Sequence, residues 1–315
     1  MASTHRSVSA PLFRWFALAD FVAMIVIILT GAAVRLTGSG LGCPDWPTCF
    51  QHRISGSWSL HPLVEYANRM VTGSLIIVTV ITFIAALMRS PKRKDLIGLS
   101  GALIGGVFLD AILGAIVVYT KLNPWLVSLH MMLSLFMVVV GATLYHRSKY
   151  LYGEGARAEV RDPFFKTIAR STWLLVAILL YTGTLVTGSG PHAGSATGQL
   201  VAKRLPIAFS SAAWIHSVAA TLFVGVVIGL LVAIWKTPVP EPVKFGVRRL
   251  MIIAIIQAAI GVIQFLTHVP VLLVGLHVAG ATSLTIGVTQ FNLRQTARDR
   301  EPGTRRAMNS SSASN

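Results

Sequence analysis

The sequence predicts an all-α integral membrane protein of eight transmembrane helices, arranged as two parallel-repeat four-helix bundles. Three observations carry this reading. Of 315 residues, 54% are hydrophobic and 12% charged, with a mean hydropathy of +0.68, which is too apolar for soluble domains of this length. Stretches able to cross a hydrocarbon core of roughly 30 Å, for which about 20 residues suffice, occur eight times, near 16–34, 62–88, 97–118, 125–145, 168–187, 210–235, 249–266 and 271–292. Basic residues, finally, crowd into alternate connections.

Backbone groups find no water in lipid, so each stretch should be helical. The net charge of +16 would suit nucleic acid, but its placement does not. Arg89, Lys92, Arg93 and Lys94 lie in the second connection, Arg147, Lys149, Arg157, Arg161 and Lys166 in the fourth. Lys236, Lys244, Arg248 and Arg249 lie in the sixth, and Arg294, Arg298, Arg300, Arg305 and Arg306 in the tail. All fall on one side, so the positive-inside rule places both termini in the cytoplasm. The other side carries only scattered Arg35, Arg53, Lys121, Lys203 and Arg204. The basicity therefore reads as orientation, with no nucleic acid as partner. This divides the chain into a cytoplasmic N-terminus (1–15) that leads into a signal-anchor, an N-terminal four-helix half (16–145), a cytoplasmic linker (146–167), a C-terminal four-helix half (168–292) and a polar, disordered cytoplasmic tail (293–315).

The first helix runs into Thr37-Gly-Ser-Gly-Leu-Gly-Cys-Pro-Asp-Trp-Pro-Thr-Cys49, too polar and broken for the membrane. Cys43 and Cys49 are the chain's two cysteines and fall on the non-cytoplasmic side, which permits a structural disulfide or a thiol pair that cycles. A zinc site would need further ligands. The second helix opens at Pro62 and sets Glu65, Asn68, Arg69 and Thr72 on one face. A Glu65–Arg69 pair that braces the bundle explains part of this stripe, and a stripe facing a cavity or ligand explains all of it. The third helix carries Gly101, Gly105, Gly106 and Gly114, read as helix-packing residues, together with Asp110, read either as a buried hydrogen-bonding group or as a proton-path residue. The fourth follows Asn123 and Pro124 and brings His130.

The pattern then repeats. Thr187-Gly-Ser-Gly190 echoes Thr37-Gly-Ser-Gly40, and the run Asp110 to His130 parallels Gln257 to His277, with Gly114 on Gly261 and Thr120 on Thr267. An even number of spans per half makes this a parallel duplication about an axis along the membrane normal. Asn68 then falls opposite His216, as His130 falls opposite His277.

One histidine in a membrane helix is usually a packing residue. His216 and His277, on two helices of one repeat and each about six residues, or roughly 9 Å, from the helix start, suit the two axial positions of a haem. In the first half His130 supplies one ligand, Asn68 is a poor iron ligand, and Glu65 and Arg69 face Ala213 and Ser217 in the repeat. A two-histidine site suits electron transfer, and a one-histidine site leaves a coordination position open for chemistry. His52 and His61 are the alternatives for a missing ligand; His61 lies about 10 Å from Asn68 along the helix. His5, His146, His192 and His268 fall near helix ends. Lys203 and Arg204 are candidate contacts for haem propionates.

The run Gly31-Ala-Ala-Val-Arg-Leu-Thr-Gly-Ser-Gly-Leu-Gly-Cys-Pro-Asp-Trp-Pro-Thr-Cys49, the motif Glu65-Tyr-Ala-Asn-Arg69, and His130, His216 and His277 resemble the haem A synthase family. The resemblance covers nearly all eight spans. It implies an enzyme of respiratory-oxidase assembly that oxidises a methyl group of haem O, by successive hydroxylations, to the formyl group of haem A. It further implies a haem b held by His216 and His277, a substrate haem held by His130 with Asn68 and Arg69 nearby, Glu65 as the functional acid, and Cys43 and Cys49 as the outer-loop pair. Asn68 departs from the family motif, which commonly has histidine there. The loop from Pro191 to Phe209 lacks the cysteine pair of some members.

The expected partners are haem O, an electron donor the sequence does not identify, membrane lipid, and candidate assembly partners such as haem O synthase and the oxidase itself. Oligomeric state is left open. The expected location is the bacterial cell membrane rather than the mitochondrial inner membrane. A dihaem electron carrier without substrate oxidation and a haem transporter or chaperone are the alternative functions.

Overall fold

The computed structural model describes residues 7–43, 48–49, 59–149, 160, 162–195 and 202–295. Eight helices follow one another: α1 (Ala10–Leu36), α2 (Leu60–Met88), α3 (Lys94–Tyr119), α4 (Pro124–Ser148), α5 (Pro163–Ser189), α6 (Phe209–Lys236), α7 (Glu241–Leu266) and α8 (Val271–Leu293). All eight are long and apolar enough to cross a membrane, and the chain is a multi-pass membrane protein. Among the described residues there is no strand, only the isolated bridges Val8–Arg89 and Ser39–Ser195. His5, His52, Arg53, Arg157, Arg161 and the tail from residue 296 lie outside the described residues.

Three of the helices, α1, α4 and α5, begin at a side-chain cap. The Ser9 hydroxyl accepts the Leu12 N–H and Pro11 sits in the first turn, so α1 starts within the segment assigned to the N-terminus. Asp162 accepts the Phe165 N–H at 2.7 Å ahead of Pro163, and Asn123 accepts the Trp125 N–H at 3.0 Å ahead of Pro124. The largest departure from the apolar stretches is α7, which starts at Glu241 and carries Lys244, Arg248 and Arg249 in its first turns. Those charges continue the helix beyond the apolar window.

Helix α1 packs on α2 and α4, and α3 on the same two; α5 packs on α6 and α8, and α7 on the same two. Between the sets the contacts are α4 with α8, α1 with α8 and α4 with α5. Exchanging α1–α4 for α5–α8 leaves these pairings unchanged. At the end bearing the termini, Val8 bonds the backbone of Met88 and Ser90, and Val160 N–H donates to Gln295 O. At the opposite end Gly40 N–H donates to Gly194 O at 2.9 Å, and the Arg35 guanidinium donates to Thr187 O at 2.8 Å.

The two larger apolar cores lie toward one end, and a smaller one of Val117, Leu122 and Ala202 lies at the other. The core of the first set gathers Phe13, Ala17, Leu96, Leu103, Val138 and Leu144, and that of the second Phe165, Phe223, Val227, Leu250 and Phe291, all toward the end bearing the termini. Toward the other end, α7 buries nothing beyond Gln257 and α8 nothing before Thr282. The glycines of α3 are of two kinds. A Cβ on Gly105 would meet nothing and one on Gly101 only the edge of Phe83, which corrects the reading of these two as helix-packing residues, whereas Met137 occupies the space over Gly106.

Candidate functional site

His216 on α6 and His277 on α8 stand toward the end of the second set away from the termini, their ring centroids 6.2 Å apart and their planes at 78°. Two metal–nitrogen bonds of about 2 Å each, with half a ring on either side, come to roughly the same span. Each ring lies on a glycine of a neighbouring helix: a Cβ at Gly183 on α5 would come within 3.3 Å of His216 Cε1, and one at Gly261 on α7 within 3.3 Å of His277 Cε1. The Thr182 hydroxyl donates to Leu179 O at 3.0 Å and lies 3.1 Å from His216 Nδ1. With its proton so used, it accepts Nδ1–H, and His216 Nε2 is left as a lone-pair donor. These residues fit a haem with two axial imidazoles.

In the first set His130 repeats the arrangement: a Cβ at Gly114 would lie 3.4 Å from its Cε1. Its Nδ1 lies 2.8 Å from Asp110 Oδ1, and Ser134, one turn along α4, donates to the other carboxylate oxygen. Asn68 is engaged elsewhere, its amide oxygen accepting from Thr30 on α1 at 2.7 Å. Aligning Thr37-Gly-Ser-Gly40 with Thr187-Gly-Ser-Gly190 puts Ala33 where Gly183 stands and Ala32 where Thr182 stands. The histidine, the glycine that seats it and the hydroxyl that orients it are thus all replaced together. His61 Nδ1 lies 3.1 Å from the Ser39 hydroxyl, an engagement away from Asn68. These residues fit a haem with one protein ligand.

Cys43 and Cys49 form a disulfide, and both are buried. Glu65, buried on α2, accepts the Cys43 N–H at 2.8 Å through one oxygen and pairs with Arg69 at 2.5 Å through the other. Arg69 also donates to Thr48 O at 2.9 Å. One ion pair therefore grips the backbone of both Cys43 and Thr48. The bracing reading of this stripe is met in Glu65 and Arg69. The fourth member, Thr72, bonds its own helix at Asn68 O.

Lys203 and Arg204 are exposed between α5 and α6, with Arg204 donating to Pro191 O at 3.4 Å. His192 Nε2 lies 2.8 Å from Val269 O, which makes it a brace on the α7–α8 turn, and His268 is exposed in that turn. The turn itself is duplicated. Lys121 and Leu122 have φ of 54° and 60°, and His268 and Val269 both have 62°. Left-handed backbone costs an L-residue roughly 1–2 kcal/mol, more for branched Val269, yet it recurs at matching positions. Leu122 N–H donates to Val117 O, and Val269 N–H to Gln264 O, each five residues back.

Sequence reasoning missed Thr30, Thr182, Gly183 and Ala33. The Thr-Gly-Ser-Gly echo would have aligned the last two; the threonines carried no signal until their partners were in place.

The COX15-CtaA family model, described as cytochrome oxidase assembly protein, matches residues 14–288. The chain belongs to this family. Its resemblance to haem A synthase is borne out at the level of family membership. A protein named heme A synthase from Staphylococcus saprophyticus is 25% identical over 286 residues, covering 86% of this chain and 91% of the relative. One of the same name from Staphylococcus aureus is 26% identical over 288 residues, covering 88% and 93%. The family match spans both four-helix sets, including Glu65, Asn68, Arg69, His130, His216 and His277.

Proposed function

We propose that the chain is a haem A synthase of a bacterial cell membrane, with both termini cytoplasmic, oxidising a methyl group of haem O to a formyl group by successive hydroxylations. The observation that carries this is the contrast between the two halves: His216 and His277, each on a glycine, against His130 alone, with Ala33 and Thr30-bound Asn68 where the second ligand would be seated. The repeated helix pairings and repeated left-handed turns support a parallel duplication, hence one haem site per half.

When bound between His216 and His277, haem b supplies one-electron transfer to the other half. His130 would hold the substrate haem, and Asn68, its amide oxygen bound by Thr30, would not serve as a second ligand. Glu65, ion-paired with Arg69 and bonded to Cys43, is the acid assigned to proton movement or to stabilising positive charge. Lys203 and Arg204 contact propionates at the same end. Haem extraction and mass analysis from cells supplying haem O, with and without the protein, tests the reading: haem A or hydroxylated haem O should accumulate only with it. Bound haem recovered unmodified would favour an electron carrier or transporter instead.

A further inference from the structure

Asp110 has no place in the function derived so far. It sits in the interior of α3, inside a span where a carboxylate is costly unless it has a partner or a task. Its Oδ1 and His130 Nδ1 are both shielded from solvent and have no hydrogen-bond partner among the described residues, yet they stand 2.8 Å apart. Ser134 pins the other oxygen while also bonding His130 O, so the carboxylate is fixed relative to the very turn of α4 that carries the imidazole.

The second half lacks this device. In the repeat, Asp110 aligns with Gln257 and Ser134 with Ala281, so both members of the pair are absent together. Gln257 lies instead against Gly280, where a Cβ would collide with its amide. His130 Nδ1 and His277 Nδ1 are alike in having no aligned hydrogen bond among the described residues, but only His130 has a carboxylate beside it, and the group on His216 Nδ1 from α5 is the neutral hydroxyl of Thr182.

We propose that Asp110 is a positioning residue for His130, its carboxylate taking the imidazole Nδ1–H so that Nε2 is presented, with raised basicity, to the iron of the first-half haem. Histidine ligands are commonly oriented by a carboxylate or carbonyl in this way. Here the device marks one half only. A carboxylate behind the single ligand strengthens donation to an iron whose other face has no protein ligand, while the two-histidine half is left with neutral surroundings. The inference rests on His130 being a haem ligand.

The test is resonance Raman spectroscopy of the ferrous, detergent-purified full-length protein, produced with adequate haem, together with titration of bound haem b. Wild type, Asp110→Asn, Asp110→Glu and His130→Ala are compared. An iron–histidine stretching band lost in His130→Ala belongs to the first half. In Asp110→Asn that band should move to lower frequency, and first-half haem retention should fall about 10- to 100-fold, with the second-half haem unchanged and Asp110→Glu restoring both. An Asp110→Asn protein with the wild-type band and retention overturns the proposal. Equal loss from both halves also overturns it, since it shows a role in the bundle as a whole. If wild type has no His130-dependent band, the ligand role of His130 falls, and the inference with it; that outcome is distinct from an unresponsive Asp110.

Discussion

Glu65 Oε2 accepts the backbone N–H of Cys43 at 2.8 Å, tying a carboxylate on α2 to the first residue of the disulfide-closed loop. Because the other oxygen is paired with Arg69, the acid is committed at both ends. Glu65→Ala should lower haem A formation while leaving the second-half haem intact, and should loosen the loop by the worth of a charge-assisted bond, about 1.5–3 kcal/mol. Product analysis and thermal unfolding in detergent measure the two effects. Haem A formation at the wild-type rate would remove Glu65 from the site.

Arg69→Ala leaves the buried Glu65 charge without its ion-pair partner and frees the Thr48 carbonyl. Breaking such a pair costs on the order of 3–5 kcal/mol. The Glu65→Gln, Arg69→Ala double variant should be less destabilised than the sum of the singles. Strict additivity in thermal unfolding would show that the two side chains act separately.

His216→Ala and His277→Ala should each convert the second-half haem from six- to five-coordinate or release it, and His130→Ala should leave it alone. Electron paramagnetic resonance of the purified ferric proteins distinguishes these states. Gly261→Val tests the seat rather than the ligand: a branched side chain beside His277 adds an overpacking cost of about 1–3 kcal/mol and should displace that haem while sparing the first.

Asn68→His alone should fail to create a second two-histidine site, because Ala33 occupies the place of the seating glycine. Asn68→His combined with Ala33→Gly should bring a low-spin ferric signal to the first half, with loss of haem A formation. A low-spin signal from the single variant would show that Ala33 does not control ligation.

The fold was legible because lipid leaves few choices: apolar length predicted all eight spans, and only their ends, set by Ser9, Asn123 and Asp162 as caps, escaped hydropathy. His130, His216 and His277 stood out in the sequence because a polar group in such a span needs a reason. Glycine was misread, since spacing alone cannot distinguish a residue that admits another helix from one that admits an imidazole. Gly114 and Gly261 are of the second kind, while Gly105 faces open space. The commitments of Asn68 to Thr30 and of Asp110 to His130 join different helices, so no periodicity along one helix could reveal them.

The duplicated left-handed turns act as an indexing stop. From Leu122 to His130 and from Val269 to His277 is eight residues in each case, so each turn starts its helix at the same angular phase and the imidazole comes round to its glycine on count. With 3.6 residues per turn, inserting one residue after either turn would swing the ring by about 100°. The turn would survive such an insertion, but the helix would present the wrong face. Two remote pairs of unfavourable φ angles thus time where the two imidazoles arrive.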